Sequence, residues 1–345
     1  MELIAPRGDF ASYAASRLQR EKFVLFDIGC SGGIDLCWRQ FGERLEAHAF
    51  DPNLDEINRL TAAENNPLVR YVGGFVGVAP DDPIRILRGS RGPLARNPWE
   101  RLAVARSVSI INKTRELDNE EKRGLNLWQE TRLADQGKPI DLRVYLREAA
   151  VRSIDFIKID IDGEDFDVLK SLESTLNDAG VLGCGLEVNY FGSDHPSDHV
   201  FHNTDRFMRK AGFDLFGLTV RTYSNAALPG RYLYAVPAQG HTGRPLQGDA
   251  LYLRDPIADG PELCLDKLLK LAALFSLAAL PDYAVEILLR YRDTLRNAIE
   301  IDEAIKMLVK QSGIAPDGAS YEQIIREFEA NGSRFYPGWS RNSFK

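Results

Sequence analysis

The sequence has few cysteines, no long apolar run and no excess of positive charge. Only four of its 345 residues are cysteines, and none forms a Cys-x-x-Cys pair. This argues against a disulfide framework and favours buried thiols in a reducing compartment. No stretch approaches the roughly 18 consecutive apolar residues of a membrane span, and the first residues lack the apolar core of a signal peptide. We therefore expect a cytoplasmic protein with no membrane span.

The charge balance argues against a general nucleic-acid binder. The chain has 43 lysines and arginines against 50 acidic residues, for a formal net charge of −7. Binding to nucleic acid phosphates needs a basic footprint, which this chain lacks overall. Its hydrophobic fraction of 44% is ordinary for a globular protein, and its length favours one large domain with an appendage.

Alternating strand and helix patterns predict an α/β fold with a mainly parallel sheet. The strands are predicted at residues 23–29, 47–50, 69–78, 155–161, 181–188, 213–220, 231–236 and 251–253. The helices between them are predicted at residues 31–41, 54–64, 164–176 and 200–211. Because the apolar run at residues 23–26 is continuous rather than alternating, we expect that strand to be buried on both faces.

Two segments depart from this alternation. Residues 80–146 are predicted to be an insertion or lid of a domain spanning residues 1–255, with short strands at 84–87 and 108–111. Residues 256–345 are predicted to be a helical extension. Its helices, at 263–280, 283–308 and 321–329, would form a homodimer interface or cover the flank of the sheet.

The insertion has a local excess of basic residues. Between residues 88 and 106 the segment contains five arginines but only one acid, Glu100, and it also contains Trp99. The arginines are Arg88, Arg91, Arg96, Arg101 and Arg106. They would hold an anionic acceptor or form a solvated basic loop.

A glycine-rich turn follows the first strand, in the segment Phe26-Asp-Ile-Gly-Cys-Ser-Gly-Gly33. Glycines allow a tight turn and close approach of a ligand to the main chain. Asp51 ends the next strand, where a carboxylate can accept hydrogen bonds from both ribose hydroxyls of an adenosine. This pattern predicts a nucleoside-cofactor site, and Asp27 favours a cationic sulfonium over a pyrophosphate. The alternative is a purely structural turn, with Asp51 capping the next helix.

A second motif runs from Asp155 to Lys170 and reads Asp-Phe-Ile-Lys-Ile-Asp-Ile-Asp-Gly-Glu-Asp-Phe-Asp-Val-Leu-Lys. Its apolar positions make a buried strand, and Lys158, Asp160 and Asp162 crowd the carboxyl end, where ligands of open α/β sheets bind. Buried charges of this kind are costly unless they pair or meet a ligand, so the motif predicts a functional site.

These residues resemble the FkbM family of S-adenosylmethionine-dependent O-methyltransferases, whose strand reads D-F-[IL]-K-I-D-[VI]-E-G-x-E and continues into V-L-K. Asp162 stands where the family has Glu. The resemblance extends to the glycine-rich turn and to Phe50-Asp-Pro-Asn53, where the family often has F-E-P-N, and covers about residues 20–255.

The resemblance implies a Rossmann-like methyltransferase sheet, mostly parallel with an antiparallel strand near its end. It also implies S-adenosylmethionine as cofactor and a sugar or related small-molecule hydroxyl as acceptor. Asp27, Gly29 and Gly32 would lie at the amino-acid end of the cofactor, Asp51 would hold its ribose, and Asp160 would face the reaction centre. The predicted cofactor-binding set is Asp27, Gly29, Cys30, Gly32, Asp51, Pro52 and Asn53.

Methyl transfer to a hydroxyl needs in-line positioning and removal of a proton. Lys158 and Asp160 are predicted catalytic residues, and His195 is the candidate general base. A second interpretation places a divalent cation such as Mg²⁺ on Asp160, Asp162 and Glu187. A third leaves His195, His199 and His202 structural or exposed, and an alternative for Glu187 is a pair with Lys158.

Two other functions fit parts of the sequence. An NAD-dependent oxidoreductase would use the same turn and ribose carboxylate, although the Lys158-Ile-Asp160 stretch argues against it. A non-catalytic binding protein would keep the cofactor fold as a scaffold and use the helical extension for a partner.

Overall fold

The computed structural model describes residues 8–79, 82–84, 139–161, 164–190, 195–223, 244–257, 263–312 and 320–330. Several predictions lie outside these residues. They are the strands at 108–111 and 231–236, most of the strand at 84–87, and the arginine-rich part of the insertion.

The chain divides into two compact units. Among the described residues, the first unit comprises those within 24–34 and 45–254. The second comprises those within 8–23, 35–44 and 255–330, so it combines the helical C-terminal segment with two short N-terminal segments.

The first unit is built on a mixed sheet. Its strands are β1 (Phe23–Ile28), β2 (Leu45–Asp51), β3 (Val69–Gly73), β6 (Phe156–Ile159), β7 (Gly183–Asn189), β8 (Asp214–Leu218), β9 (Arg221–Tyr223) and β10 (Arg244–Leu253). Within the described residues their order is β3-β2-β1-β6-β7-β10-β8, and β9 also pairs with β10. Two short strands, β4 (Phe75–Val76) and β5 (Pro139–Ile140), form a separate parallel pair.

The strand directions confirm the predicted fold class. The pairs β2–β3, β1–β6 and β6–β7 are parallel, whereas β10 is antiparallel to β7, β8 and β9. The first unit is therefore a Rossmann-like α/β sheet with an antiparallel strand late in the chain. In such a sheet the carboxyl ends of the parallel strands share one edge, which is where ligands bind.

Helices of the first unit are α2 (Leu54–Ala63), α3 (Leu142–Glu148), α4 (Asp165–Ser171), α5 (Glu173–Asp178) and α6 (Phe201–Lys210). Phe26, Ile157 and Ile159 of the sheet share one buried cluster with Leu169 and Met208 of α4 and α6. Burying such side chains contributes about 1.5–3 kcal/mol each, which holds the strand ends in fixed positions.

The helix predicted at residues 31–41 was wrong in its bounds and type. The chain forms a 3₁₀ helix, Leu36–Arg44, because positive φ values at Gly32 and Gly33 carry it through further turns after β1. In the segment predicted to be an insertion or lid, α3 begins at Leu142. Tyr145 of α3 contacts Phe50 edge-on and hydrogen-bonds His48 of β2 over 2.8 Å.

The second unit is helical. It contains α1 (Phe10–Ser16), the 3₁₀ helix, α7 (Leu265–Leu277), α8 (Pro281–Arg290), α9 (Arg292–Leu295), α10 (Ile301–Ser312) and α11 (Tyr321–Ala330). The single helix predicted at 283–308 was wrong, because the chain breaks near Tyr291 and again before Ile301. Cys264, expected to be buried, is exposed. No helix among the described residues is long and apolar enough to cross a membrane.

Asp266 of α7 fixes the N-terminal segment to the helices of this unit. Its carboxylate accepts hydrogen bonds from the backbone N–H groups of Gln19, Arg20 and Glu21 over 2.9–3.0 Å. Lys270, one turn later, donates to the Glu21 carboxylate over 2.7 Å although its own side chain is fully buried.

Candidate active site

The glycine-rich turn joins the ends of three strands. The backbone N–H groups of Gly29 and Cys30 both donate to the carbonyl of Phe50 at the end of β2, over 2.9 and 3.0 Å. Gly29 has φ +90°, and a Cβ there would collide with the backbone oxygen of Asp160 beyond β6. Only glycine allows this approach, so the turn brings the ends of β1, β2 and β6 to one point.

A buried charge cluster lies beside that turn. The Lys158 ammonium lies 3.2 Å from Asp27 and 3.6 Å from Asp160, and it donates to the Gly29 carbonyl over 2.8 Å. The Asp27 side chain is only 4% exposed, whereas that of Asp160 is 37% exposed. Lys158 therefore pairs with one carboxylate inside the fold and one at the surface.

The pKa values of this cluster reflect its burial. Desolvation raises the pKa of Asp27 to about 6, although the nearby Lys158 ammonium partly opposes the rise. Burial alone would lower the pKa of Lys158, but the charges of Asp27 and Asp160 outweigh it and raise that pKa. Burial also raises the pKa of the Cys30 thiol far above its ordinary value, so Cys30 is not a nucleophile at neutral pH.

Asp51 occupies the end of β2 on the other side of the turn. It is 7% exposed, and its carboxylate accepts the backbone N–H of Asn53 over 2.8 Å. Burial raises its pKa, and the Asn53 N–H and the Lys158 ammonium oppose the rise. Asn53, rather than Asp51, caps α2 by accepting the N–H of Glu56, so the capping role considered for Asp51 was wrong.

Two features of this edge fit a bound cofactor with cationic groups. One oxygen of Asp27 is buried without a hydrogen bond, although it lies near the Lys158 ammonium. At Gly32 a Cβ would meet no atom within 4 Å, so the turn is open to a ligand there. A hydrogen-bond donor of a ligand would add to the ionic contact that this oxygen already has with Lys158.

Glu187 was predicted to bind a metal or to pair with Lys158, and the second alternative was wrong. It lies near the end of β7 and accepts a hydrogen bond from the amide of Gln247 on β10. The Arg221 guanidinium lies 3.8 Å from Glu187 and 3.5 Å from Asp249, which faces Glu187 across the β7–β10 pair. The sequence did not predict Gln247, Asp249 and Arg221 as residues of this site. The one signal for them was the polar Gln247-Gly-Asp249 stretch beside an apolar strand.

His199, rather than the predicted His195, contacts residues of β7. A ring nitrogen of His199 lies 2.8 Å from the carbonyl of Glu187, which requires that nitrogen to donate. Its other ring nitrogen lies 3.3 Å from the amide of Asn189. His195 accepts the backbone N–H of Ser197 over 3.2 Å, and His202 is exposed on α6.

The divalent-cation prediction has no support among the described residues. They contain no group of three or more His, Cys, Asp or Glu side chains able to hold a metal ion. Asp162, one of the three predicted ligands, lies outside the described residues. Asp160 and Glu187, the other two, lie near the cationic groups of Lys158 and Arg221.

One protein-family model matches part of the chain. Residues 105–215 match the family model of the methyltransferase FkbM domain. The match includes the charged motif of β6 and the residues that follow β7, and it begins after the glycine-rich turn and Asp51. None of the curated proteins compared with the chain matches it.

Three solved structures align with the chain at low sequence identity. A precorrin-6y C5,15-methyltransferase from Geobacter metallireducens shares 11% identity over 71% of this chain and 86% of its own, with a TM-score of 0.31. A TehB-like S-adenosylmethionine-dependent methyltransferase from Corynebacterium glutamicum shares 10% identity over 71% and 87%, at 0.28. A Streptococcus pneumoniae protein in complex with S-adenosyl-L-methionine shares 12% identity over 88% and 97%, at 0.28.

The strands and helices described above define a Rossmann-like α/β protein. The family match is more specific. Residues 105–215 match the methyltransferase FkbM domain, which confirms the resemblance found in the sequence and supports S-adenosylmethionine-dependent methylation.

Proposed function

We propose that this protein is an S-adenosylmethionine-dependent O-methyltransferase that acts on a hydroxyl of a sugar, a glycan or a related small molecule. The cofactor supplies the methyl group on its sulfonium. The protein's residues bind and orient the two reactants at the carboxyl edge of the sheet.

One observation carries the proposal, namely the convergence of Gly29, Asp51 and the Asp27–Lys158–Asp160 cluster on one edge. Gly29 touches the end of β2 through Phe50 and the end of β6 through Asp160. The Lys158 charge acts on both Asp27 and Asp51. An adenosyl group and a cationic amino-acid end would therefore meet complementary groups on neighbouring strands.

Each carboxylate has a separate role in this proposal. Asp51 accepts hydrogen bonds from the ribose hydroxyls, and Asp27 attracts the cationic end of the cofactor. Asp160, the most exposed of the three, faces the reacting methyl group. Lys158 favours the ionised form of Asp27, and its own charge is retained by the proximity of the two carboxylates.

Removal of the acceptor proton is assigned to the segment that follows β7. His195 is the candidate general base, and His199 holds the end of β7 through the Glu187 carbonyl. Positioning of the hydroxyl oxygen in line with the methyl group supplies much of the acceleration.

The test is binding of S-adenosylhomocysteine by titration calorimetry. Asp51→Ala should abolish measurable binding, because the ribose loses its charged partner. Asp55→Ala is the matched control, since Asp55 is exposed on the first turn of α2 and should bind like the unsubstituted protein. Unchanged affinity in Asp51→Ala would refute the proposed cofactor site.

Methyl transfer itself is tested with labelled S-adenosylmethionine and a panel of hydroxylated acceptors. Label on an acceptor oxygen supports the proposed reaction. Cofactor binding with no transfer to any acceptor would favour a non-catalytic binding protein. Thermal stabilisation by NADH but not by S-adenosylhomocysteine would favour an oxidoreductase.

A further inference from the structure

Polar side chains also lie on β7 and β10, the strands that follow β6 in the sheet. Asp160 follows β6, and Glu187 is its neighbour on β7, because Ile159 pairs with Leu186 one position earlier. Asp249 on β10 pairs directly with Glu187. With strands about 4.8 Å apart, the Asp249 backbone lies about 10 Å from that of Asp160. An acceptor beside Asp160 would therefore extend over Glu187 and Asp249.

Arg221 is the accessible member of this group. Its side chain is 37% exposed, whereas those of Glu187 and Asp249 are 7% and 6% exposed. Its distances of 3.8 and 3.5 Å to the two carboxylates are longer than the roughly 2.7–2.9 Å of a tight charge-assisted pair. A guanidinium has five N–H donors, so Arg221 keeps hydrogen-bonding capacity for a ligand.

The two carboxylates offset the charge of that guanidinium. The Glu187 carboxylate accepts a hydrogen bond from the amide of Gln247. The Asp249 carboxylate accepts one from the Thr219 hydroxyl over 3.3 Å, and that hydroxyl also accepts the backbone N–H of Asp249 over 2.7 Å. Arg221 therefore presents N–H donors to oxygen atoms without a net positive field around it. An anionic group at this position would approach two buried carboxylates, which like-charge repulsion disfavours.

We propose that Arg221, held by Glu187 and Asp249, is a specificity-determining residue that selects an uncharged hydroxyl acceptor over an anionic one. The inference rests on the proposed function and adds the charge class of its acceptor. The compensated guanidinium donates to hydroxyl or ring oxygens of the acceptor, and the carboxylates keep anions away.

The test compares two probes with the same sugar ring, methyl glucoside and methyl glucuronide. Their binding to protein saturated with S-adenosylhomocysteine is measured by saturation-transfer NMR. The unsubstituted protein should bind the glucoside at least tenfold more tightly than the glucuronide. Arg221→Ala should lose most of the glucoside binding, because the donors are removed.

Two isosteric variants, Glu187→Gln and Asp249→Asn, should shift the preference. Each removes a compensating charge while keeping an oxygen that accepts the present hydrogen bonds. Affinity for the glucuronide should then rise at least threefold, with no matching rise for the glucoside. Arg209→Ala is the control. Arg209 also pairs with two carboxylates, Asp205 and Asp214, but it lies on α6 and not beside Glu187 and Asp249.

The outcomes separate this inference from the proposed function. If S-adenosylhomocysteine fails to bind the unsubstituted protein, the proposed function fails. If it binds but neither sugar does, or the glucuronide binds better, the inference about Arg221 is overturned while the cofactor site stands. Equal glucuronide affinity in all the variants would also overturn it.

Discussion

Two buried aspartates, one in each unit of the molecule, have opposite environments. Asp27 and Asp266 are 3% and 6% exposed. Asp266 accepts three backbone N–H bonds, which outweigh its desolvation and lower its pKa. Asp27 has one oxygen without a hydrogen bond, and desolvation raises its pKa to about 6. The Asp266 environment stabilises the carboxylate within the fold, whereas the Asp27 environment leaves it incompletely satisfied.

The difference separates a structural carboxylate from a candidate binding carboxylate. A buried polar group without its hydrogen bonds costs stability, and proteins keep such groups mainly at functional sites. Removing each charge should therefore affect different properties, namely folding for Asp266 and ligand affinity for Asp27.

The largest expected effect is the loss of folding stability in Asp266→Ala. Three backbone N–H groups would lose their partner at about 1 kcal/mol each, so the free energy of unfolding should fall by about 3 kcal/mol. Chemical denaturation followed by circular dichroism measures this. Asp302→Ala, which removes an exposed ion pair with Arg292, is the control and should leave stability unchanged. A fall no larger than in the control would contradict the structural role of Asp266.

The stabilisation by Asp266 should also depend on pH with a defined sign. Because its pKa is lowered in the folded protein, its contribution is present above the ordinary value of 3.8 and is lost as the pH falls through the folded value. The difference between the unsubstituted protein and Asp266→Ala should therefore persist at pH 5.

The next effect is on cofactor affinity in Asp27→Asn. Loss of the carboxylate charge opposite a cationic ligand should cost about 2 kcal/mol, which is about 30-fold in affinity. Calorimetric titration with S-adenosylmethionine measures this. The melting temperature of the unliganded protein should not fall, because a desolvated charge is removed and Lys158 retains Asp160. A large loss of stability with unchanged affinity would make Asp27 a structural residue like Asp266.

The smallest effect is a pH dependence of the same affinity. Asp27 becomes protonated as the pH falls through about 6, so its attraction for a cationic ligand is present above that pH and lost below it. S-adenosylmethionine affinity should drop roughly tenfold between pH 7.5 and pH 5. Asp27→Asn should remove most of this dependence. A similar dependence in that variant would assign it to another group.

Local patterns in the sequence were sufficient to predict the parallel strands and the shared edge at which the proposed cofactor residues lie. Continuous apolar runs marked β1 and β6 as buried strands and were followed directly by Asp27 and Asp160, and Asp51 ended the second predicted strand. Their neighbourhood then followed from the shared edge of a parallel sheet. The family match, which covers the β6 motif, agrees with that interpretation.

The cluster of Arg221, Glu187 and Asp249, which we propose to bind the acceptor, could not be predicted, because it depends on pairing between distant segments. Arg221 meets Glu187 and Asp249 only because β9 and β7 both pair with β10, in antiparallel registers that no local pattern specifies. The helix predicted at residues 31–41 failed for a different reason. Its helical composition was overridden by the left-handed turns at Gly32 and Gly33.

The position of Lys158 bears on the release of the spent cofactor in the proposed reaction. A bound cofactor would bring a positive sulfur close to the acidic groups that pair with the lysine ammonium. After transfer the sulfur would be neutral, whereas the lysine, 3.2 and 3.6 Å from Asp27 and Asp160, would keep both partners. The spent cofactor would then be held less firmly than the reactive one, so that the cluster favours turnover over product retention.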